Sequence, residues 1–208
     1  MTPAEQDPAL WVAKSLHRRL VFPRRGRVLS TLLAALLPNG ATVLDVGCGD
    51  GTIAHLIMQM NPTTIIRGLE VAPRPSCRIE YEAFDGASIP LGGDSVDVCM
   101  FVDVLHHTHN IVELLKEARR VARRHVLIKD HLCENQLDGA ILKFMDAVGN
   151  PRSVRMVHNY KNRADWAQIF SACGLRIASW NDRLGLYPPP FNAIFGRRLH
   201  YVGLFEKG

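Results

Sequence analysis

The sequence predicts an α/β protein, a doubly wound, mainly parallel sheet covered by helices, and three observations carry that reading. From Ala41 onward, short apolar runs rich in β-branched residues alternate with amphipathic stretches of helical period; strand, helix, strand in repetition implies a parallel sheet with helices packed on it. A glycine-rich turn, VLDVGCGDG at 43–51, lies directly behind the first run. The chain has 208 residues, 47% hydrophobic and 22% charged, the size and composition of one soluble globular domain with a full core.

Two apolar segments precede the first strand. Trp11, Leu16 and Leu20 share the apolar side of a short helix ahead of Pro23, and VLSTLLAALL (28–37) forms a second, closed by Pro38-Asn39-Gly40. ATVLDV (41–46) reads as a buried strand, TIAHLIMQM (52–60) as a helix stopped by Asn61-Pro62, and TTIIRGLEV (63–71) as the second strand. CRIEYEAF (77–84) alternates as a third, SVDVCMFVDV (95–104) is a fourth, IVELLKEARRVA (111–122) an amphipathic helix and HVLIKD (125–130) a fifth strand. Only residues 72–76 separate the second and third strands, fewer than the dozen or so a crossover helix needs, so either that link is minimal or one boundary is misplaced. Leu137, Ile141, Phe144, Met145 and Val148 recur at helical spacing inside 132–162, a lid insertion over the carboxyl ends of the strands. The helix ADWAQIFSACG (164–174), LRIASW (175–180), a polar, proline-rich turn and RLHYVGLFEK (198–207) close the chain, the last two runs suiting an antiparallel pair at the sheet edge. The organisation expected is a single domain over 1–208, with amino-terminal helices in 1–40.

No run reaches the roughly 18–20 apolar residues of a membrane span, and MTPAEQDPALWVAK lacks the layout of a secretory signal. A cytoplasmic protein is expected. The five cysteines, odd in number and without a CxxC pair, read as reduced thiols, with neither disulfide nor zinc expected. Of the net charge of +5, much is concentrated in Lys14, His17, Arg18, Arg19, Arg24, Arg25 and Arg27, a solvated helix face or an attractor of anionic partners.

In an open parallel sheet, ligands bind beyond the carboxyl ends of the strands where the strand order reverses. Gly47, Gly49 and Gly51 permit close backbone approach there, and the next helix offers its amino terminus. Asp45, inside the strand, sets a negative charge where a pyrophosphate gains nothing from one, which argues against a dinucleotide. Glu70 closes the second strand, where a carboxylate accepts both hydroxyls of a ribose, and Asp85-Gly86 closes the third, where an acid accepts from an adenine amino group beside room for the ring.

With these residues the chain resembles the class I S-adenosylmethionine-dependent methyltransferases, in particular the small single-domain kind related to the methyltransferase type 11 group. The resemblance rests on VLDVGCGDG, GLEV (68–71), FDGASIPLGGDSVDVCMFVDVLHHT (84–108) and HVLIKD, in that order. It implies a Rossmann-like, three-layer α/β/α fold with seven strands, the last antiparallel, and a small helical lid. By the same resemblance Asp45 holds the methionine amino group of S-adenosyl-L-methionine, Gly47, Cys48 and Gly49 accommodate the methionine part, and Glu70 takes the ribose. Asp85 takes the adenine, Val71, Gly86 and Val102 line the site, and S-adenosyl-L-homocysteine is the product.

Methyl transfer from a sulfonium is an in-line displacement, so alignment and exclusion of water dominate, and a base is needed only where the acceptor must lose a proton. His106 and His107 at the exit of the fourth strand, and His131 at that of the fifth, are the base candidates. His158 and Tyr160 in the lid are candidate acceptor contacts with Asn159, whereas Trp166 and Phe170 read as core. No metal is expected, because no neighbouring carboxylate or thiolate in the sequence completes a ligand set with His-His-x-His.

The exit of the fourth strand reads VDVLHHT in place of the Asn/Asp-Pro-Pro-Tyr/Phe turn common in nucleic-acid amino methylation, and no aromatic ladder is present to stack bases. A small, partly hydrophobic organic acceptor, methylated at oxygen or carbon, is therefore expected as partner, and nucleic acid is not. Three other readings stay open: an RNA or protein methyltransferase docking through the basic amino-terminal segment, a non-catalytic S-adenosylmethionine-binding partner protein, and a peripheral enzyme whose basic helix lies on an anionic membrane surface.

Overall fold

A computed structural model describes residues 21–149, 157–196 and 198–208. The helix expected around Trp11 to Leu20 lies outside the described residues, as do Lys14, His17, Arg18 and Arg19. Helix α1, Phe22–Leu36, starts earlier than its apolar period suggested because Pro23 opens it. Proline at the first helical turn sacrifices no hydrogen bond and presets φ, so here it starts a helix where the sequence suggested a break. It is followed by β1 (Thr42–Val46), α2 (Thr52–Met60), β2 (Ile65–Glu70), β3 (Tyr81–Ala83) and β4 (Val96–Val102). A 3₁₀ turn (Leu105–His107) leads to α3 (Ile111–Val121), β5 (Ala122–His131), α4 (Gln136–Gly149), α5 (Arg163–Ala172), β6 (Leu175–Asn181), α6 (Phe191–Phe195) and β7 (His200–Lys207).

The seven strands run in the order β3-β2-β1-β4-β5-β7-β6. The first five are parallel, and β7 pairs antiparallel with both β5 and β6. The strand order reverses between β1 and β4, which places the ligand crevice at the exits of those strands. Both faces are apolar because buried parallel strands must be. Met100 and Leu127 face Leu29 and Leu33 of α1 and Ile57 of α2. Their neighbours Phe101 and Ile128 face Leu114 and Leu115 of α3 and Trp166 and Phe170 of α5.

Strand β3 is shorter than its alternating pattern, beginning at Tyr81 opposite Gly68. The residues before it pack on the glycine turn: Arg78 N–H donates to the Asp50 carbonyl (2.9 Å), and Ile79 is buried. The link from β2 to β3 therefore contains no helix, and the strand boundary drawn at Cys77 was the misplaced one. Among the described residues no helix is long and apolar enough to cross a membrane.

Candidate active site

The glycine turn is tied to the neighbouring strand, since Gly47 and Cys48 N–H both donate to the Leu69 carbonyl (2.7 and 3.0 Å). Gly47 has φ +78°, and a Cβ there would lie 2.6 Å from a methyl of Val104, whereas one on Gly49 would meet nothing within 4 Å. Cys48 packs over Gly68, where a Cβ would lie 2.5 Å from its sulfur. Asp45 is 3% exposed and its Oδ1 has no hydrogen-bond partner. Burial, with the Glu70 charge nearby, pushes its carboxyl up to about 7. A buried carboxylate oxygen with no partner beside an open glycine is a fit for the ammonium of an amino acid.

Glu70 accepts from Gly49 N–H (2.8 Å), Val71 N–H (3.0 Å) and Ala72 N–H (3.2 Å), and pairs with the Arg74 guanidinium at 3.0 Å. A ribose diol bound there shares this carboxylate with Arg74. Asp85 folds its Oδ1 onto Ala87 and Ser88 N–H (2.8 and 2.7 Å), which lowers its pKa, and is otherwise exposed. Gly86 lies against half-exposed Val71, where a Cβ would come within 3.1 Å of the valine, so both leave a shallow apolar shelf for a planar ring. Val102 ends β4. The donor set thus fits S-adenosylmethionine: a carboxylate for the ammonium, one for the diol and one for the ring amine.

Beyond the exits of β4 and β5 lies a cavity of about 330 Å³. Phe22 of α1, Phe144 and Met145 of α4, and Phe191 and Phe195 of α6 wall it with carbon, while Asp103, His106, His107, His131, Asp146 and His200 give it a polar floor. Arg25 turns inward from the basic segment to pair with Asp103, leaving Arg24 and Arg27 exposed.

Asp103 terminates β4 with φ +58° and accepts from both Arg25 and Lys129. Burial opposes its charge, but these two cations hold its carboxyl well below the usual range. Asp130 accepts from Leu105 N–H (2.9 Å), His131 N–H (2.7 Å) and His106 Nδ1 (2.6 Å). That bond fixes the His106 tautomer and leaves its buried Nε2 without a partner, 3.7 Å from Asp146. His107 Nδ1 donates to the Val157 carbonyl (3.2 Å). His131 and His200 meet through Nδ1 atoms 3.0 Å apart, and His200 also receives Lys129 Nζ (3.3 Å) while its Nε2 donates to the Phe195 carbonyl (3.1 Å). This pattern makes His131 Nδ1 the donor and leaves His131 Nε2 bare, 3.5 Å from Asp103. Burial lowers the pKa of His107, His131 and His200, while Asp130 overcomes burial to raise that of His106.

The structure thus gathers His106, His107 and His131 on one floor. His158 and Tyr160 do not line the cavity; both meet Asp146, through a 3.6 Å contact and a tyrosine hydroxyl bond, and Tyr160 stacks on His106 with ring centroids 5.5 Å apart. Sequence reasoning missed Asp103, Asp146, His200, Tyr187 and Phe195. Residues 181–197, read as a polar turn, bury Leu184, Leu186 and Tyr187, and the aromatic spacing at Tyr187, Phe191 and Phe195 was the available signal.

A methyltransferase-domain family model matches residues 17–179. An uncharacterized methyltransferase of Mycobacterium sp. (strain KMS) is 34% identical over 93 residues, 41% of this chain and 36% of that protein. The tRNA (carboxymethyluridine(34)-5-O)-methyltransferase alkbh8 of Xenopus tropicalis is 30% identical over 120 residues, 55% of this chain and 17% of that protein. The chain therefore spans about a third or less of the length of these curated relatives. A SAM-dependent methyltransferase from Aquifex aeolicus superposes with a TM-score of 0.58 at 16% identity, covering 86% of this chain and 88% of that one. With the glycine turn, the three acids and the strand order already in place, the conclusion is direct: the chain belongs to the methyltransferase-domain family and has the class I S-adenosylmethionine-dependent fold.

Proposed function

We propose that the protein transfers a methyl group from S-adenosylmethionine to a small, partly hydrophobic organic acceptor, at oxygen or carbon. The carrying observation is the carbon-walled cavity of about 330 Å³ over a floor of imidazoles; Asp103 in its lining directly precedes Val104, which packs on Gly47. A space of that size suits a molecule of one or two rings, and its few convergent polar groups suit orientation of one polar end.

Asp45, Glu70 and Asp85 would bind the cofactor's three polar parts, and Val71 with Gly86 its ring. Bound S-adenosylmethionine supplies an activated methyl on a sulfonium. The protein's own part is alignment and dryness: the aromatic walls exclude water, and His131, held by His200, which Lys129 anchors in turn, presents Nε2 to accept a proton from a hydroxyl or an acidic carbon. The methyl so supplied would pass to the acceptor oxygen or carbon, with S-adenosylhomocysteine left as the neutral thioether.

The test is release of S-adenosylhomocysteine with a panel of phenols, enolisable ketones and carboxylic acids, beside tRNA carrying carboxymethyluridine and a basic peptide. Turnover confined to small acceptors, lost in His131→Ala with cofactor binding kept, supports the reading. Turnover on tRNA alone would move the assignment to RNA, the reading favoured by the likeness to the Xenopus enzyme and by exposed Arg24 and Arg27. Binding of S-adenosylmethionine with no turnover on any class would favour the partner-protein reading.

A further inference from the structure

We propose that His106, His107 and Asp146 form a binding site for a divalent transition-metal ion of the zinc class, open to the acceptor cavity. One ligand atom from each lies within 4.8 Å of the others, and all three residues line the cavity. Atoms bound to one tetrahedral ion at roughly 2.0–2.2 Å stand about 3.3–3.6 Å apart, so the ligand atoms would draw together by up to about 1.5 Å to complete the set.

Three observations separate this cluster from an ordinary polar core. His106 is 1% exposed, yet among the described residues its Nε2 has no hydrogen-bond partner and faces Asp146 at 3.7 Å, beyond hydrogen-bond reach. Its other nitrogen donates to the Asp130 carboxylate at 2.6 Å, and Asp130 is itself fixed by Leu105 and His131 N–H. That is the carboxylate, histidine, metal arrangement in which an outer acceptor sets the tautomer and aims the free nitrogen. His107 repeats the scheme with the Val157 carbonyl as acceptor, so both adjacent imidazoles keep Nε2 available.

The alternative triad of His106, Asp130 and His131 lies equally close, but Asp130 is spent on three hydrogen bonds there and the His106 nitrogen it meets already donates to it. Asp146, by contrast, receives among the described residues only the Tyr160 hydroxyl, with His158 at 3.6 Å. Two imidazoles and one carboxylate with positions left open suit zinc or its neighbours, and calcium or magnesium would seek more oxygen. Such an ion would hold and polarise an oxygen of the acceptor. That role rests on the small-acceptor reading above, whereas the site itself does not.

The test strips the whole chain with a chelator and titrates it with Co²⁺, whose visible d–d absorption reports tetrahedral nitrogen and oxygen ligands. One Co²⁺ per chain, displaced by Zn²⁺, is expected. His107→Gln and Asp146→Asn should each abolish the absorption, and Asp130→Asn should weaken binding by about 10–100-fold. His109→Gln, in the exposed histidine of the same run, should change nothing. The thermal shift given by S-adenosylhomocysteine checks that each variant is folded. No saturable binding by the wild type, or binding lost in His109→Gln and kept in Asp146→Asn, overturns the site. Metal binding without methylation of any small acceptor leaves the site standing and defeats the proposed function. Full turnover in metal-free protein overturns the ion's role in holding the acceptor.

Discussion

The ammonium of Lys129 is fully buried, and the carboxylate that meets it belongs to Asp103 on the adjoining strand. The partnership is also built into the backbone, for Asp103 N–H donates to the Lys129 carbonyl at 2.9 Å. Asp103 shares its second oxygen with Arg25, so a buried cation and a residue in the first turn of α1 depend on one acid.

Removing that acid strands a buried charge. Asn tolerates the left-handed backbone of position 103, so Asp103→Asn isolates the charge from the geometry. We expect a loss of about 3–5 kcal/mol in urea unfolding. Lys129→Met should cost less, because it leaves Asp103 paired with Arg25; equal losses would show that the pair does not carry the stability.

Asp45 links cofactor affinity to pH. Its folded carboxyl keeps a proton up to about 7, while the unfolded one releases it near 4, so this group's contribution to stability falls as pH rises between those values. The cofactor's ammonium favours the ionised acid, so affinity for S-adenosylhomocysteine should rise by roughly tenfold from about pH 6 to 8. Calorimetry on Asp45→Asn should find that slope much reduced. An unchanged slope would assign the pH dependence to the ligand alone.

Gly47 is irreplaceable on two counts. An alanine would strain φ +78° and drive its Cβ into Val104, together costing about 2–4 kcal/mol. In the double variant with Val104→Ala only the backbone strain should remain. A coupling of at least about 1 kcal/mol in that cycle is expected, and strict additivity would mean the contact is relieved by other movements.

Glu70 pairs with Arg74, and under the proposed function it would also receive the ribose. Glu70→Ala should weaken S-adenosylhomocysteine by about 10–100-fold, the worth of charge-assisted bonds to a diol. Arg74→Ala frees the carboxylate and should bind the ligand at least as well as the wild type; weaker binding would show that Arg74 itself contacts the cofactor.

The positions of Asp45, Glu70 and Asp85 were legible because each acid lies at, or within two positions of, a strand end that apolar period marks. Helix α2 matches its predicted bounds, and the sheet's antiparallel finish follows from the last two runs. The acceptor half was not legible, since its members come from distant parts of the chain. Asp146 lies inside an amphipathic stretch and carries no local sign that it faces His106. Pro23 misled because one residue type both ends and begins helices, and β3 because Cys77 and Ile79 alternate like a strand while packing on a turn.

The walls of the cavity come from α1, α4 and α6, none of which carries Asp45, Glu70 or Asp85, and Phe22, Phe144 and Phe191 stand 45%, 48% and 43% exposed. Side chains so lightly built into the core can be exchanged at little cost to folding. Divergence can therefore retune what enters this chamber while the methyl-donor machinery is inherited intact. Libraries randomised at these three aromatics are the natural place to look for altered substrate range.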